Sequence, residues 1–189
     1  MQIHNDFIFH QKNVVEKKLC HSIINFFEKS EKKHSGTVGS GVYHEIKKST
    51  DLTLSFKDSY SFIFYLHSLI HQNCKKYNEK YKILSTLPPW KLTDKFNIQR
   101  YLPNEGYFTA HSEHGPTENM SKRILAWMIY LNDVKSGGET YFTFQKKKIK
   151  AREGDMLIWP AGFTHTHHGI VSKKETKYIL TGWFEYESI

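Results

Sequence analysis

The chain has 189 residues, a length that favours one domain able to bury an apolar core without disulfides. Its 27 Lys and Arg residues exceed its 19 Asp and Glu residues, and the net charge of +8 favours anionic partners without identifying one. No nucleic-acid-binding motif accompanies the lysines, and no apolar run approaches membrane-spanning length, so we expect neither a specific nucleic acid nor a membrane as partner.

The cysteines and the N-terminal residues indicate the compartment. Cys20 and Cys74 each fall within a helical pattern, as small buried apolar groups do, and do not form a disulfide framework or a zinc motif. Residues 1–6 lack a basic segment followed by an apolar one, so no secretory signal is predicted. These features predict a soluble, cytoplasmic protein.

The first half of the chain is predicted to contain two amphipathic helices. Apolar residues recur with near-helical spacing from Val14 to Phe27, and a second apolar stripe runs through residues 59–81. The second stripe predicts a helix that packs across a sheet. Between the helices, residues 51–56 alternate in polarity and predict a strand with one exposed side, and Pro88-Pro89 ends the helical half.

A glycine-rich segment lies between the first helix and this strand. Residues 34–41 carry three glycines and two serines, which disfavour regular structure and predict a mobile loop. Two interpretations stay open for residues 34–43: a plain connector, or a cover over a substrate site. The connector is favoured because glycine-rich loops are common and lids are few.

From Trp90 onwards, short strand-like runs alternate with turn residues. Residues 124–131 form a nearly unbroken apolar run, which is typical of a strand buried on both faces. Many short strands after two helices predict an α+β fold, with a closed or sandwiched β core and N-terminal helices supporting one side. The other strands of the core are predicted at residues 95–102, 140–144, 149–151, 155–159 and 178–186.

Two separate segments carry residues that could bind a metal. His111 and Glu113 lie two apart, so both side chains point to the same face of an extended segment. In a second segment, more than fifty residues later, His165 and His167 share a face, whereas His168 points the other way. Two imidazoles and one carboxylate form the set that holds non-haem Fe(II) with open positions. Alone, a His-x-Glu pair is more commonly found on a solvated strand edge, so its meaning depends on the rest of the chain.

Further motifs surround these residues in a regular order over residues 95–186. In order and spacing they resemble the prolyl 4-hydroxylase-like branch of the 2-oxoglutarate and Fe(II)-dependent oxygenases, especially its short single-domain phage and bacterial members. The matching motifs are Tyr101, His111-x-Glu113, Arg123, Tyr130-Leu131-Asn132-Asp133-Val134, Gly137-Gly138-Glu139-Thr140-x-Phe142, Gly154-Asp155-Met156-Leu157-Ile158-Trp159-Pro160, Thr164-His165-Thr166-His167-x-Gly169 and Lys177-Tyr178-x-Leu180-Thr181-Gly182-Trp183.

The resemblance implies a double-stranded β-helix, or jelly-roll, whose mouth holds the iron. We expect residues 1–189 to form a single oxygenase domain. Within it, residues 1–89 would be mainly helical support and the substrate-side loop, and residues 90–189 would be the jelly-roll core with the iron site.

The resemblance also implies a ligand set. His111, Glu113 and His167 occupy the positions of the Fe(II) ligands. Lys177, ten residues after His167, occupies the position of the basic residue that pairs with the distal carboxylate of 2-oxoglutarate. This spacing favours His167 over its neighbours, so His165 is expected to lie around the metal centre and not in it.

Other residues match positions near the co-substrate. Tyr101, Tyr130 and Thr140 correspond to positions whose hydroxyls hydrogen-bond the co-substrate in related hydroxylases. Trp183 and Arg123 are expected to surround the metal centre, and no catalytic residue is expected beyond it. For Tyr130 and Trp183, an ordinary core position with a locally satisfied polar atom is an equal alternative.

The sequence departs from the family pattern in two places. Glu113 stands where the family usually has aspartate, and its extra methylene lengthens the site without removing the charge or the donor atoms. A carboxylate there argues against halogenation and for hydroxylation. Lys173-Lys174-Glu175 stands where the family often has a proline and a glycine, so this loop is expected to differ.

The resemblance therefore implies an oxidoreductase that uses Fe(II), 2-oxoglutarate and O₂, with ascorbate as a candidate addition. Such a dioxygenase converts 2-oxoglutarate to succinate and hydroxylates a C–H bond, and the resemblance favours a peptidyl proline as the substrate. The alternatives are a hydroxylase of another amino acid or a small molecule, and a non-catalytic cupin-like module with a structural metal.

Overall fold

The computed structural model describes residues 6–39 and 41–187. Its helices are α1 (Lys17–Lys29), α2 (Ser61–Lys80) and the short α3 (Glu118–Ser121), with 3-10 turns at Lys82–Thr86 and Phe163–His165. Its strands are β1 (Phe9–Gln11), β2 (His34–Ser35), β3 (Lys47–Lys48), β4 (Thr50–Ser55), β5 (Trp90–Leu92), β6 (Lys95–Tyr101), β7 (Gly106–Tyr107), β8 (Arg123–Tyr130), β9 (Thr140–Phe142), β10 (Lys147–Ile149), β11 (Met156–Pro160), β12 (His167–Gly169) and β13 (Lys177–Tyr186).

The strands form one large and two small antiparallel sheets. The large sheet has the order β1-β11-β8-β13-β6-β4-β2, and β5 pairs with the far end of β13. A three-stranded sheet has the order β10-β9-β12, and β3 pairs with β7. This jelly-roll core with two long N-terminal helices confirms the predicted α+β fold class.

The central strand β8 separates two apolar clusters. Leu125, Trp127 and Ile129 belong to the cluster that includes the buried residues of α1 and α2. The alternate residues Ala126, Met128 and Tyr130 belong to a second cluster on the opposite face, together with Phe142 and Trp159. Because successive side chains of a strand point to opposite faces, the unbroken apolar run is the pattern of a strand covered on both sides.

The helices occupy nearly the predicted residues. In α2 the predicted stripe is buried, and Leu66 and Ile70 are fully enclosed. The first helix begins at Lys17 and not at Val14, because the backbone N–H groups of Val14 and Val15 both donate to the carbonyl of Gly154, at 2.8 and 3.1 Å. These hydrogen bonds hold the entry segment against the β core instead of in a helical turn.

The glycine-rich segment is more regular than predicted. His34–Ser35 forms β2, which pairs with β4 at the edge of the large sheet, and Val38 bridges to Gly41. The expectation that residues 34–41 lack regular structure is therefore wrong for these positions. The reason is that the edge of β4 supplies backbone partners that local composition does not reveal.

The predicted strand at residues 149–151 is shifted, since the observed strand is Lys147–Ile149. Cys20 and Cys74 are free and buried, as expected, and burial raises the pKa of each thiol to about 12. Within the described residues, no helix has the length and apolar character needed to cross a membrane.

A glycine in β13 gives a test of this packing. A Cβ on Gly182 would lie 2.6 Å from a ring carbon of Trp127, whereas a Cβ on Gly162 would meet nothing within 4 Å. We expect Gly182→Ala to lower the free energy of unfolding by about 1–3 kcal/mol, because the added methyl group would overpack the core. Gly162→Ala, the matched control, should change it by less than about 0.5 kcal/mol. Urea denaturation of both variants measures the difference, and equal midpoints would contradict this packing.

Candidate metal centre

A backbone bridge brings the two segments of the predicted site together. The N–H of His111 donates to the carbonyl of His167 at 2.9 Å, and the N–H of His167 donates to the carbonyl of His111 at 2.9 Å. Residues that exchange both hydrogen bonds lie directly opposite each other, with their side chains on the same face. The bridge therefore points both imidazoles to one place, although 56 residues separate them in the sequence (167 − 111).

Glu113 joins the two imidazoles from the next same-face position. Its N–H donates to the carbonyl of Ala161 at 3.0 Å, which fixes the backbone of this residue beside β11. Glu113 Oε1 lies 3.3 Å from His167 Nε2 and 3.6 Å from His111 Nε2. In the described part of the chain, these three residues form the one group of at least three potential metal ligands whose donor atoms all lie within 4.8 Å of one another.

Backbone carbonyls set the tautomer of both imidazoles. His111 Nδ1 lies 3.1 Å from the carbonyl of Thr109, and His167 Nδ1 lies 2.9 Å from the carbonyl of His165. A carbonyl only accepts, so each Nδ1 must carry the hydrogen. In the neutral rings, each Nε2 then presents a lone pair towards Glu113, the arrangement that metal-binding histidines usually show.

Aromatic rings hold the imidazoles in place. The ring of Tyr107 stacks on His111, with centroids 3.5 Å apart and planes 12° apart. Trp159 contacts His167 edge-on at 5.0 Å, and Phe142 lies at 5.4 Å on another side. Because these neighbours restrict ring rotation, the nitrogen atoms keep their positions before any ligand binds.

The donor set fits a divalent metal. Bonds of about 2.0–2.2 Å at angles of about 90–110° place neighbouring donor atoms about 2.8–3.6 Å apart. The distances of 3.3 and 3.6 Å from Glu113 Oε1 to the two imidazole nitrogens lie in or next to this range. Three acceptors that face one another repel unless a cation lies between them, so His111, Glu113 and His167 could hold Fe(II).

The second oxygen of Glu113 is occupied by the protein. Trp183 Nε1 donates to Glu113 Oε2 at 2.8 Å. Arg123 Nη1 lies 3.7 Å from the same oxygen and donates to the backbone carbonyl of Glu113 at 3.2 Å. The Arg123 guanidinium also lies 3.6 Å above the Trp183 ring. The two carboxylate oxygens thus have different partners: Oε1 faces the imidazoles, and Oε2 faces Trp183 and Arg123.

The charge state of Glu113 agrees with this arrangement. Burial raises its pKa, but His111 and His167, in their protonated forms with a hydrogen on Nε2, lower it by more through hydrogen bonds and positive charge, so the pKa lies well below its usual range. The carboxylate is therefore ionised at neutral pH and available as an anionic ligand.

A cavity of about 610 Å³ opens beside these donor atoms and contains a buried lysine in its wall. Lys177 is 7% exposed, lies directly opposite Tyr101 in the pairing of β13 with β6, and has its ammonium 5.0 Å above the Tyr101 ring. In the described residues, its hydrogen bond goes to the neutral carbonyl of Gly138 at 3.3 Å. Burial lowers the pKa of Lys177 to about 8, against the opposing charge of Glu139. Such a cation favours an anionic ligand.

Tyr101 also lines the cavity, but its hydroxyl is already engaged. The Asp51 carboxylate only accepts, and Gln99 Nε2 donates to it at 2.9 Å. The amide oxygen of Gln99 therefore faces Tyr101, whose hydroxyl donates to it at 2.9 Å. Burial and the charge of Asp51 raise the pKa of Tyr101 well above its ordinary value, so the hydroxyl stays protonated. Tyr101 then offers the cavity only lone pairs.

The two remaining co-substrate candidates take different positions. Thr140 lines the cavity and is buried. Tyr130 is fully buried behind it, and its hydroxyl lies 2.6 Å from Thr140 Oγ1 and 3.4 Å from the carbonyl of Ile149. The structure does not bring Tyr130 to the cavity wall, so it acts on this region only through Thr140.

The neighbouring histidines point elsewhere. His165 Nε2 lies 2.8 Å from the carbonyl of Asp6, and its Nδ1 lies 3.0 Å from Thr164 Oγ1. Its contribution to the centre is its backbone carbonyl, which accepts from His167. The ring of His168 lies against Tyr141, with centroids 5.4 Å apart.

Several residues of the site were not predicted from the sequence. Tyr107 stacks on His111, and Lys47, Ser49 and Gln99 surround Asp51 in a buried polar network. Tyr107 stands four residues before His111, a local signal that could have been used. The network joins β3, β4 and β6, and no local pattern indicates that these strands meet.

Comparison with known proteins agrees with this geometry. The model of the 2OG-Fe(II) oxygenase superfamily matches residues 96–185. Probable prolyl 4-hydroxylase 9 of Arabidopsis thaliana is 30% identical over 124 residues, which cover 52% of this chain and 43% of that protein. The chain thus spans less than half the length of this plant relative.

Solved structures show the same fold. The viral collagen prolyl hydroxylase of Paramecium Bursaria Chlorella virus-1, in complex with 2OG, superposes with a TM-score of 0.71 and 17% identity, covering 96% of this chain and 97% of that one. The Trichoplax adhaerens prolyl hydroxylase, in complex with a hypoxia inducible factor peptide fragment, gives a TM-score of 0.76 and 16% identity, covering 97% and 86%.

The fold and the centre define a jelly-roll protein with two histidines and one carboxylate at the mouth of its cavity. Together with the match of the superfamily model to residues 96–185, they make the chain similar to the 2OG-Fe(II) oxygenases, among them prolyl 4-hydroxylases. Fe(II), 2-oxoglutarate and O₂ are the cofactor and co-substrates that this family implies.

The contact between Trp183 and Glu113 can be tested by metal binding. Trp183→Phe removes the N–H that holds Oε2, and loss of such an outer contact weakens metal affinity by about 10–100-fold. Anaerobic titration calorimetry with Fe(II) measures this change. Trp127→Phe is the matched control, because the buried indole N–H of Trp127 has no hydrogen-bond partner among the described residues. Equal Fe(II) affinity in both variants would show that Trp183 does not position the carboxylate.

Proposed function

We propose that the chain is an Fe(II)- and 2-oxoglutarate-dependent hydroxylase that acts on a peptidyl proline. The observation that carries this proposal is the convergence of His111 Nε2, His167 Nε2 and Glu113 Oε1 beside a cavity that contains the buried cation of Lys177. Bound Fe(II) would supply the oxidative chemistry, in which 2-oxoglutarate is decarboxylated to succinate and a C–H bond is hydroxylated.

The protein residues would bind and orient the reactants. His111, His167 and Glu113 would hold the metal, and three protein ligands leave room for the co-substrates in the adjacent cavity. The stacked ring of Tyr107 and the edge of Trp159 would keep the imidazoles fixed during turnover. Trp183 would hold the spare oxygen of Glu113, so that one open position is not taken by a second carboxylate bond.

Lys177 would anchor the distal carboxylate of 2-oxoglutarate. Its ammonium donates to the neutral carbonyl of Gly138 in the described part of the chain, and a buried charge without an anionic partner is unfavourable until an anion binds. Thr140 Oγ1 is the nearby hydroxyl that could add a hydrogen bond to the same carboxylate, while Tyr101 contributes its ring below the ammonium.

The peptidyl substrate is supported by the relatives and by the shape of the cavity. The plant relative is named a prolyl 4-hydroxylase, and the Trichoplax structure contains a bound peptide. In this chain the cavity extends from the metal centre to residues 37–39 and to Asn97, so a chain segment has room beside the iron. Residues 37–39 would contact the substrate from the glycine-rich side.

Succinate production tests the proposed reaction. We expect the wild-type protein, with Fe(II), 2-oxoglutarate, O₂ and ascorbate, to release succinate, because these relatives share one cofactor chemistry. His167→Ala and Lys177→Ala should lower this rate by at least about 100-fold, since each removes a group that binds metal or co-substrate. His44→Gln, a change at an exposed histidine, serves as the control. Wild-type protein that binds zinc stoichiometrically and releases no succinate would favour a non-catalytic metal-binding module.

The substrate class needs its own experiment. Proline-containing peptides incubated with the complete reaction mixture should gain one oxygen by mass spectrometry, with the oxygen on proline. A broad peptide panel could give succinate without any modified proline. This result would agree with the oxygenase activity but reject the prolyl substrate in favour of another amino acid or a small molecule.

The pKa of Lys177 predicts a pH dependence of co-substrate binding. The pKa is lowered to about 8, so the ammonium is charged below this pH and loses its charge as the pH rises through it. We expect the affinity for 2-oxoglutarate to fall above about pH 8, with a smaller fall in Lys177→Arg, because a guanidinium stays charged. Calorimetric titration of the metal-loaded protein over this range measures the effect. An identical pH profile in both proteins would contradict it.

A further inference from the structure

A second pair of histidines lies on α2, outside the metal centre. His67 and His71 are one helical turn apart, and their Nε2 atoms are separated by 3.1 Å. Their ring centroids lie 4.4 Å apart with an interplanar angle of 59°. His71 is exposed and His67 is half-buried, so the pair opens to solvent.

The geometry of this pair matches that of the two histidines in the metal centre. The rings of His111 and His167 are 4.5 Å apart at 52°, which differs from the α2 pair by 0.1 Å and 7°. The helix repeat produces this arrangement for His67 and His71, because residues four apart lie on the same face. In the HExxH motif of zinc proteins, the same spacing places two imidazoles on one metal.

The nitrogen separation also fits a shared metal ion. With metal–nitrogen bonds of about 2.0–2.1 Å, a separation of 3.1 Å corresponds to an angle of about 95–100° at the metal. This angle lies between those of square-planar and tetrahedral coordination. The same separation fits a hydrogen bond between two neutral imidazoles. A bound metal ion would take the place of the shared proton.

One imidazole of the pair is fixed by the core. The ring of His67 packs edge-on against Phe56 at 5.1 Å, and Phe56 stacks on the fully buried Phe96 at 4.6 Å. His67 therefore keeps its orientation while His71 remains accessible. A ligand held in this way lowers the entropic cost of binding.

We propose that His67 and His71 form a second binding site for a divalent transition metal that prefers imidazole nitrogen, namely Ni²⁺, Cu²⁺ or Zn²⁺. Magnesium and calcium prefer oxygen donors and would not compete. No third His, Cys, Asp or Glu of the described residues completes this pair, so its other coordination positions face solvent. The site is independent of the proposed hydroxylase reaction.

Equilibrium dialysis of the untagged, metal-free full chain against Ni²⁺, followed by metal analysis, tests the proposal. We expect His71→Gln to bind one Ni²⁺ fewer per chain than the wild type, and His44→Gln to bind as many as the wild type. His167→Ala should keep the ion that His71→Gln loses. Circular dichroism of His71→Gln verifies that this exposed substitution leaves the fold intact.

The outcomes separate the two sites. Equal Ni²⁺ binding by the wild type and His71→Gln would overturn the α2 site, whatever His167→Ala does. A second result is possible: His71→Gln binds one Ni²⁺ fewer than the wild type, and His167→Ala binds as many as the wild type. This result would support the α2 site and count against the metal centre.

Discussion

The site depends on one backbone bridge, the paired hydrogen bonds between His111 and His167. It fixes two imidazoles side by side, and Glu113 follows two residues later on the same face. The bridge is possible because β12 pairs with β9, while Glu113 and His114 donate their backbone N–H groups to the carbonyl of Ala161, directly after β11. A change that separates these segments would lose both imidazoles together, whereas a change of one side chain loses a single donor.

The second feature is the division of the Glu113 carboxylate. The longer side chain carries Oε1 to the imidazoles and leaves Oε2 beside Trp183 and Arg123. Arg123 also donates to the backbone carbonyl of Glu113, so both the carboxylate and the backbone of this residue have protein partners. These contacts hold the longer glutamate side chain with one oxygen towards the imidazoles.

The sequence predicted the elements whose signal is local. The apolar stripe of α2 and the unbroken run of β8 follow from periodicity, and the fold follows from the motifs after Tyr101. The proximity of His111, Glu113 and His167 agrees with the proposed ligand set, but periodicity alone left His165 and His167 equivalent. The ten-residue spacing to Lys177, read through the resemblance, favoured His167, and the bridge to His111 is the contact between distant segments that brings its ring to Glu113. For the same reason the sequence did not indicate the network around Asp51 or the pairing of His34–Ser35 with β4.

The most direct test of this account is a crystal structure of the chain with Mn²⁺ in place of Fe(II) and with 2-oxoglutarate. We expect bonds from the metal to His111 Nε2, His167 Nε2 and Glu113 Oε1. Glu113 Oε2 should still accept from Trp183, and the distal carboxylate of 2-oxoglutarate should contact Lys177. A metal bound through both oxygens of Glu113, or a 2-oxoglutarate that does not contact Lys177, would contradict it.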